Sequence, residues 1–234
     1  MMATLSRRGV SECLGTGFLV AAVVGSGIMG ERLAGGNVAI ALLANTIATG
    51  AALVALILTF GPISGAHLNP AVTFVDAIEG GLPWSDAACY MVAQFFGGIA
   101  GTIAAHIMFG LPVISVSHHG RSGASQVVSE FVATFGLLCV IWGCSRLQSE
   151  MVPFAVGAYI TAAYWFTAST SFANPAVTLA RSLSDTFAGI RPLDVAPFVA
   201  AQMAGALAAT FLFRWLVPNL KSEAEAIVVP KDAS

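Results

Sequence analysis

Two asparagines, Asn69 and Asn174, carry the side chains in this sequence that are best suited to handle a small polar molecule. Each begins the same five-residue segment, Asn-Pro-Ala-Val-Thr, at residues 69–73 and 174–178. Asn is favoured immediately before a helix, and Pro is tolerated at the first helical position because that position needs no N–H partner. Each copy therefore predicts the start of a short helix. The motif residues are Asn69, Pro70 and Ala71 in the first copy and Asn174, Pro175 and Ala176 in the second.

The composition of the chain places these motifs in a membrane. Of the 234 residues, 57% are hydrophobic and 9% are charged, whereas about a quarter of the residues in a typical soluble domain are charged. A spanning helix needs about 20 residues, so the chain has room for six or seven. The net charge of −2 argues against a nucleic-acid partner. The four cysteines lack metal-ligand spacing, so no metal site and no cofactor is predicted.

Small and polar residues precede both motifs, at residues 61–68 and 167–173. Such a segment cannot cross lipid as an exposed chain, because its backbone polar groups would have no partners. Irregular backbone is tolerated at membrane depth only where it is buried in protein or lines a water-filled cavity. The repeated segment therefore predicts a pore.

The elements that position the motifs follow from the hydropathy pattern. Six apolar segments predict spanning helices, at about residues 10–30, 37–60, 84–108, 125–145, 151–168 and 194–217. One motif follows the second segment and the other follows the fifth, so each half has three spans and one half-helix. We expect an all-α membrane protein with six transmembrane helices and two re-entrant half-helices. An odd number of spans per half makes the second half an inverted repeat of the first, and the two helix starts then meet near the midplane.

Further residues match between the halves in the same order: Ser11-Glu12 with Ser129-Glu130, and Gln94 and Gly97 with Gln202 and Gly205. We divide the single channel domain, 1–234, into a first repeat at 8–108, a connecting loop at 109–124, a second repeat at 125–217 and a cytoplasmic tail at 218–234. Arg7 and Arg8 beside the first helix favour cytoplasmic termini in the inner (plasma) membrane.

Residues 63–73, together with Glu12 and Glu130, resemble the major intrinsic protein family, the aquaporins and aquaglyceroporins. The first pore loop of that family looks like residues 63–73, and the family has a glutamate in the first helix of each half. The resemblance extends over about residues 8 to 217. It implies a passive channel in the lipid bilayer for water or small neutral solutes, usually assembled as a homotetramer with one pore per subunit.

One position departs from this family. Its members usually carry Arg directly after the second Asn-Pro-Ala, where it forms one wall of the narrowest constriction, but this chain has Val177. Counting without gaps places the constriction at Thr49, Ala162, Ser171 and Val177, with Tyr159 or Ala163 as alternatives to Ala162. We expect this ring to be wide and uncharged. It resembles the atypical bacterial aquaglyceroporins that are found with arsenic-resistance genes.

The two re-entrant segments are predicted to present backbone carbonyls to a solute. These acceptors belong to Gly65, Ala66, His67 and Leu68 and to Thr170, Ser171, Phe172 and Ala173. Two facing helix N-termini contribute about half a positive charge each, which repels cations and hydrated protons but not neutral solutes. Asn69 and Asn174 either cap their helices only or also direct their amides into the lumen, and the paired copies favour the second.

Several charged residues have two readings. Glu12 and Glu130 lie within spans, where a charge is costly and usually functional; a proton-coupled transporter could use them as relays. We favour symmetric carboxylates that accept hydrogen bonds from the re-entrant loops.

We expect His67 to be packed in its loop rather than to gate the pore. His118 and His119 are expected to be loop residues rather than metal ligands.

Arg181 lies four residues after Val177, one turn along the same helix face. Its guanidinium could therefore lie in the outer vestibule of the pore. Its counterpart in the first half is Asp76, and we expect both residues to lie on the protein surface.

Three functions remain open. The first is a passive channel for glycerol-like polyols, neutral metalloid hydroxides such as arsenous acid, and water. The second is a mainly water-selective pore, and the third is an ion- or proton-coupled transporter. The sequence contains no nucleophile–base constellation or metal cluster, so we do not expect an enzyme.

Overall fold

The computed structural model describes residues 3–147 and 149–217, without the side chains of residues 146 and 147. Its elements are α1 (Leu5–Leu33), α2 (Val38–Ser64), α3 (Pro70–Glu79), α4 (Trp84–Met108), α5 (Ala124–Leu147), a 3-10 turn (Ser149–Met151), α6 (Val152–Phe166), α7 (Pro175–Arg181) and α8 (Pro192–Leu216). The part of the chain so described contains no β-strand. The predicted tail at 218–234 lies outside it.

The six longer helices coincide with the six apolar segments, and the all-α prediction is confirmed. Five of them, α1, α2, α4, α5 and α8, are long and apolar enough to cross a membrane. The sixth, α6, has 15 residues, which corresponds to about 22 Å of helix. It is short because the chain leaves the helix at Thr167 and continues as the second re-entrant segment, where residues 171–174 are buried.

The half-helices α3 and α7 begin as the sequence predicts. The Asn69 side chain accepts a hydrogen bond from Ala71 N at 2.9 Å, and the Asn174 side chain accepts one from Ala176 N at 3.0 Å. A proline occupies the first turn of each half-helix. Because capping satisfies donors that the helix itself leaves unpaired, both helices can begin inside the protein.

The long helices pack in two equivalent groups. Helix α1 packs against α2 and α4, and α5 packs against α6 and α8, while α2 and α6 join the halves. Gly97 and Gly205, which occupy matching positions, allow the closest crossings. A Cβ atom at Gly97 would overlap Cys13 O, and one at Gly205 would overlap Phe131 O. Small residues at such crossings let helix backbones approach where lipid supplies no hydrophobic drive.

Each half-helix packs against the last helix of the other half, α3 against α8 and α7 against α4. The two motifs are thereby held against one another in the middle of the molecule. The side that carries residues 109–123 and 182–191 is called the loop side below.

Candidate solute pore

A cavity of about 610 Å³ runs between the two halves. Its wall includes both motif asparagines and residues of both re-entrant segments. One end lies near the turn between α5 and α6, at Ser149 and Glu150, and the other reaches Arg181. The inverted repeat therefore encloses one continuous space.

The two asparagines connect the re-entrant segments to each other. Asn69 Nδ2 donates a hydrogen bond to Ala173 O at 2.8 Å, and Asn174 Nδ2 donates one to Leu68 O at 2.7 Å. Each amide carries two N–H donors, so one donor on each asparagine remains available. Both asparagines line the cavity, and this arrangement goes beyond helix capping.

The backbone of the re-entrant segments is left-handed at matching positions. Ala66 and Ser171 have φ values of 48° and 50°, and Leu68 and Ala173 have values of 50° and 48°. Positive φ is uncommon for residues other than glycine, and such residues concentrate at functional sites. The repeat is therefore preserved in local backbone conformation as well as in sequence.

The carbonyl groups of these segments divide into two kinds. Those of Leu68 and Ala173 accept the asparagine amides. Within residues 3–147 and 149–217, no protein donor bonds to the carbonyls of Gly65, Ala66, His67, Thr170, Ser171 or Phe172. Thr170 alone among the eight predicted residues does not line the cavity. Its hydroxyl lies 3.4 Å from Arg121 Nη1.

Glu12 and Glu130 each contact one re-entrant segment. The carboxylate of Glu12 accepts hydrogen bonds from Leu68 N at 2.7 Å and His67 N at 3.0 Å. The carboxylate of Glu130 accepts them from Phe172 N and Ala173 N, both at 2.9 Å. Both glutamates are completely buried. Each carboxylate thus pairs with two backbone donors of one re-entrant segment.

Two glutamines that sequence reasoning left without a role complete this arrangement. Gln94 Nε2 donates to Glu12 at 2.8 Å and to Thr73 Oγ1 at 2.9 Å. Gln202 Nε2 donates to Glu130 at 2.6 Å and to Thr178 Oγ1 at 2.9 Å. The sequence showed that Gln94 and Gln202 occupy matching positions in the two halves. It did not show that they bond to Glu12 and Glu130. The glutamines link each long helix to the half-helix and the glutamate of its own half.

The ring predicted at the constriction needs one correction. Thr49, Ser171 and Val177 line the cavity, but Ala162 is exposed on the outward face of α6. Tyr164 takes the predicted place, and its hydroxyl lies 3.2 Å from Thr49 Oγ1. Counting from a motif does not determine helix phase: the inward face of α6 carries Val156, Ile160 and Tyr164, and Ala162 lies about half a turn away.

The alternatives to Ala162 do not line the cavity either. Tyr159 directs its hydroxyl to the backbone of α5, with Ala133 O at 3.1 Å. Ala163 is buried in the helix packing. The prediction that Ala162 belongs to the ring was therefore wrong, and Tyr164, a larger residue, lines the cavity from α6.

Arg181 and Asp76 are buried, with exposed fractions of 2% and 3%, so their predicted surface position was wrong. Arg181 follows Val177 by one turn and faces the same cavity. Its Nε donates to Ala188 O, and its Cζ lies 3.4 Å from the centroid of the Phe172 ring. The segment after α7 folds back over the arginine, which the sequence did not indicate.

A second arginine, Arg121, reaches the same end of the pore from the connecting loop. Its Nε donates to Gly189 O at 2.8 Å and its Nη1 to Ser169 O at 3.1 Å. Its Cζ lies 4.9 Å from the Phe172 centroid. Burial lowers the pKa of Arg121 to about 10, so the guanidinium stays protonated at neutral pH. Two cations therefore flank Phe172 on the loop side.

His67 and His118 each have a partner within the protein. His67 Nδ1 lies 3.1 Å from Thr73 Oγ1, and the ring packs edge-on against Tyr90. His118 is exposed and pairs with Asp185 at 3.0 Å. Hydrogen bonds from His118 hold the pKa of Asp185 below its usual value. Among the residues that the structure describes, no three His, Cys, Asp or Glu side chains are placed to hold a metal ion.

Comparison with known proteins supports the resemblance. A family model described as "Major intrinsic protein" matches residues 2–171 and 144–234. The chain is 58% identical over 213 residues to "Aquaglyceroporin AqpS" from Rhizobium meliloti (strain 1021), with 91% of each chain covered. It is 31% identical over 210 residues to "Aquaporin NIP1-4" from Oryza sativa subsp. japonica, covering 87% of this chain and 74% of that protein.

The fold is also found among solved structures. The X-ray structure of the aquaglyceroporin from Plasmodium falciparum matches with a TM-score of 0.72 and 21% identity. The match covers 94% of this chain and 100% of that one. At this identity the likeness concerns the arrangement of helices.

Proposed function

The chain belongs to the major intrinsic protein family, and we propose that its pore conducts glycerol-sized polyols, neutral metalloid hydroxides such as arsenous acid, and water. At the coarser level it is a multi-pass integral membrane channel for small solutes, and this family does not consist of enzymes. The finer assignment rests on the wall of the cavity.

The observation that carries the proposal is the uneven polarity of that wall. Residues of both re-entrant segments whose carbonyls have no donor within the described residues line the cavity together with the two asparagines. Other parts of the wall are apolar and include Leu19, Val23, Leu53 and Ile160. A polyol or a neutral metalloid hydroxide exchanges its hydration for hydrogen bonds on the polar side, while its remaining surface passes the apolar side chains.

The residues around Val177 support a solute larger than water. Val177 adds neither the length nor the five donors of an arginine. Thr49, Ser171 and Tyr164 surround it with hydroxyl groups. Tyr164, however, is a bulky residue that narrows the ring, and this one observation favours the mainly water-selective alternative. We place the glycerol-sized assignment first because the relative in Rhizobium meliloti is named an aquaglyceroporin.

The buried glutamates favour a passive channel over a coupled transporter. Each carboxylate already accepts hydrogen bonds from two backbone N–H groups and one glutamine. A proton relay has to release such partners in each cycle. We therefore assign Glu12 and Glu130 to supporting the loops.

We further propose that the channel is a homotetramer in the inner membrane with both termini in the cytoplasm. An even number of spans places both ends of the chain on one side, and the excess of basic residues near the first helix favours the cytoplasm. The repeats at 8–108 and 125–217 would act as one channel domain joined by the loop at 109–124.

Stopped-flow light scattering on proteoliposomes tests the proposal, with water, glycerol, urea and arsenous acid compared side by side. We expect glycerol and arsenous acid fluxes well above those of liposomes without protein. Thr49→Trp should suppress them by filling the constriction, whereas Ala162→Trp, on the outward face of α6, should not. Water flux without glycerol or arsenous acid flux would instead establish the water-selective alternative.

A further inference from the structure

We propose that Arg181 is the charge-selecting residue of this pore. Its guanidinium would repel cations at the loop-side end of the cavity and donate hydrogen bonds to the oxygen atoms of entering solutes. The inference rests on the proposed function, because it requires that the cavity conducts. It assigns selectivity to a position one turn away from Val177.

The first support is the state of the guanidinium nitrogens. Arg181 is 2% exposed and lines the cavity. Its Nε bonds to Ala188 O, but its two Nη atoms donate to no group in the described part of the chain. Neither Nη atom is among the fully enclosed unpaired atoms of the described side chains. Unpaired donors are costly away from water, so these N–H groups point to partners inside the cavity.

The second support is the local charge. Within residues 3–147 and 149–217, no carboxylate forms an ion pair with Arg181. The charged or titratable groups that interact with it are Tyr164, Arg121, Glu130 and His119, and Glu130 is already bonded to the second re-entrant segment. Arg121 adds a second cation on the Phe172 ring. Charges in a low-dielectric passage act strongly on an entering ion.

The third support is the rigidity of the arginine. Phe172 lies against the guanidinium, with Cζ 3.4 Å from the ring centroid, and Ala188 O holds Nε. Both contacts restrict the side chain without neutralising it. A fixed cation needs no rearrangement when a solute arrives.

This placement separates two properties of the pore along its axis. Val177 contributes to the ring without charge, and the guanidinium of Arg181 follows about 5.4 Å further along the helix, one turn away. A solute wider than water can then pass a ring without an arginine while cations are still refused at Arg181.

The test compares Arg181→Gln with Arg32→Gln in proteoliposomes. Arg32 also lies on the loop side, but it is exposed, bonds to Phe109 O and is absent from the cavity wall. We expect Arg181→Gln to raise sodium and proton conductance by about tenfold or more, and Arg32→Gln to leave it unchanged. An Arg181→Gln channel that conducts water but still excludes cations would overturn the inference.

If Arg181→Gln does not fold, Arg181→Lys tests whether the charge at residue 181 excludes cations. Arg181→Lys retains the charge at neutral pH, but burial lowers the pKa of a lysine from about 10.4. We expect its cation conductance to rise between pH 6 and pH 8 as the lysine loses its proton, while that of the wild type stays low. The wild type also carries Tyr164, Arg121, Glu130 and His119, so the comparison with the wild type accounts for their titration.

A flat response in Arg181→Lys over this range would overturn the role of Arg181. Failure of the proposed function has a different signature. If wild-type proteoliposomes passed neither water nor glycerol faster than empty ones, the channel assignment would fail before any variant was compared.

Discussion

At the scale of single residues, Val177 and Arg181 show how one helical turn changes what a pore can do. Val177 lines the cavity without charge, and Arg181 lines it with a guanidinium whose terminal nitrogens have no acceptor among the described residues. The two residues lie on the same face of α7 and line the same cavity, so their effects on solute passage have to be considered together. The position that is unusual for the family therefore lies one helical turn from a buried arginine.

Val177→Arg should make the pore more selective for water. The substitution adds bulk and a second guanidinium one turn from Arg181, so we expect glycerol and arsenous acid permeability to fall roughly tenfold, equal to about 1.4 kcal/mol of added barrier. Water permeability should fall much less. Thr49→Phe should shift the ratio in the same direction, and Ala162→Phe should not. Stopped-flow measurements that found an unchanged glycerol-to-water ratio would remove Val177 from the constriction.

At the scale of elements, each half of the channel repeats one supporting unit. A buried glutamate on the first helix holds the re-entrant segment, and a glutamine on the last helix joins that glutamate to a threonine of the half-helix. The unit gives the backbone N–H groups of each re-entrant segment a carboxylate acceptor inside the protein. The short helices α3 and α7 are therefore held by polar contacts as well as by packing.

Glu12→Ala should destabilise the first re-entrant segment. It leaves His67 N and Leu68 N without an acceptor, at a cost of about 1–3 kcal/mol for each buried group. We expect a lower thermal unfolding midpoint in detergent and a lower folded yield. Glu12→Gln retains a carbonyl oxygen and should fall between Ala and the wild type. Glu31→Ala, at an exposed position, is the control.

Measurements of solute flux distinguish a supporting role of Glu12 from a role in coupled transport. A relay glutamate predicts that Glu12→Gln folds normally but loses solute accumulation driven by an imposed proton or sodium gradient. A supporting glutamate predicts no such accumulation in the wild type and partial passive flux in the Gln variant. Gradient-driven accumulation would contradict the passive channel.

Gly97→Ala should weaken the crossing of α1 and α4. The added Cβ would overlap Cys13 O, which is backbone and cannot move aside as a flexible side chain can. Overpacking of this kind costs about 1–3 kcal/mol, and thermal unfolding in detergent measures it. Gly143→Ala is the matched control because its nearest new contact is 3.7 Å away. Equal stability of the two variants would show that the crossing tolerates separation.

At the scale of the whole molecule, the outer surface of the helix bundle is apolar. Large exposed side chains include Phe18, Phe96 and Trp215, and such a surface is stable only against lipid or against other copies of the chain. Inside, the halves are also joined at the side opposite the loops, where Arg214 of α8 pairs with Glu79 of α3 at 2.6 Å. The residues that line the cavity all belong to one chain.

The proposed homotetramer predicts the mass of four chains in detergent. Light scattering combined with refractive-index detection, which subtracts bound detergent, measures this mass. Because both half-helices and the entire cavity belong to one chain, solute flux should persist in a preparation dissociated to monomers. A wild-type preparation that was monomeric in every mild detergent would contradict the assembly.

Local and repeated patterns in the sequence were sufficient for the fold. Hydropathy predicted the six long helices, the Asn-Pro pairs predicted the starts of α3 and α7, and the repeated motif led to the family. These properties depend on neighbouring residues: a helix cap acts over three positions, and an apolar run is contiguous. The re-entrant segments followed because irregular backbone in a membrane has to be enclosed.

The tertiary structure alone decided which side chains meet at the loop-side end of the cavity. The prediction that Ala162 lines the pore was wrong. Tyr164 lines the cavity instead, because the face of α6 that points inward depends on how this helix packs. Arg181 is buried because the chain after α7 folds over it, and Arg121 reaches Phe172 from a loop distant in the sequence. The sequence by itself determined the two half-helices and their asparagines, since those contacts are local. The charge beside the constriction depends on contacts between distant segments, which no spacing in the chain encodes.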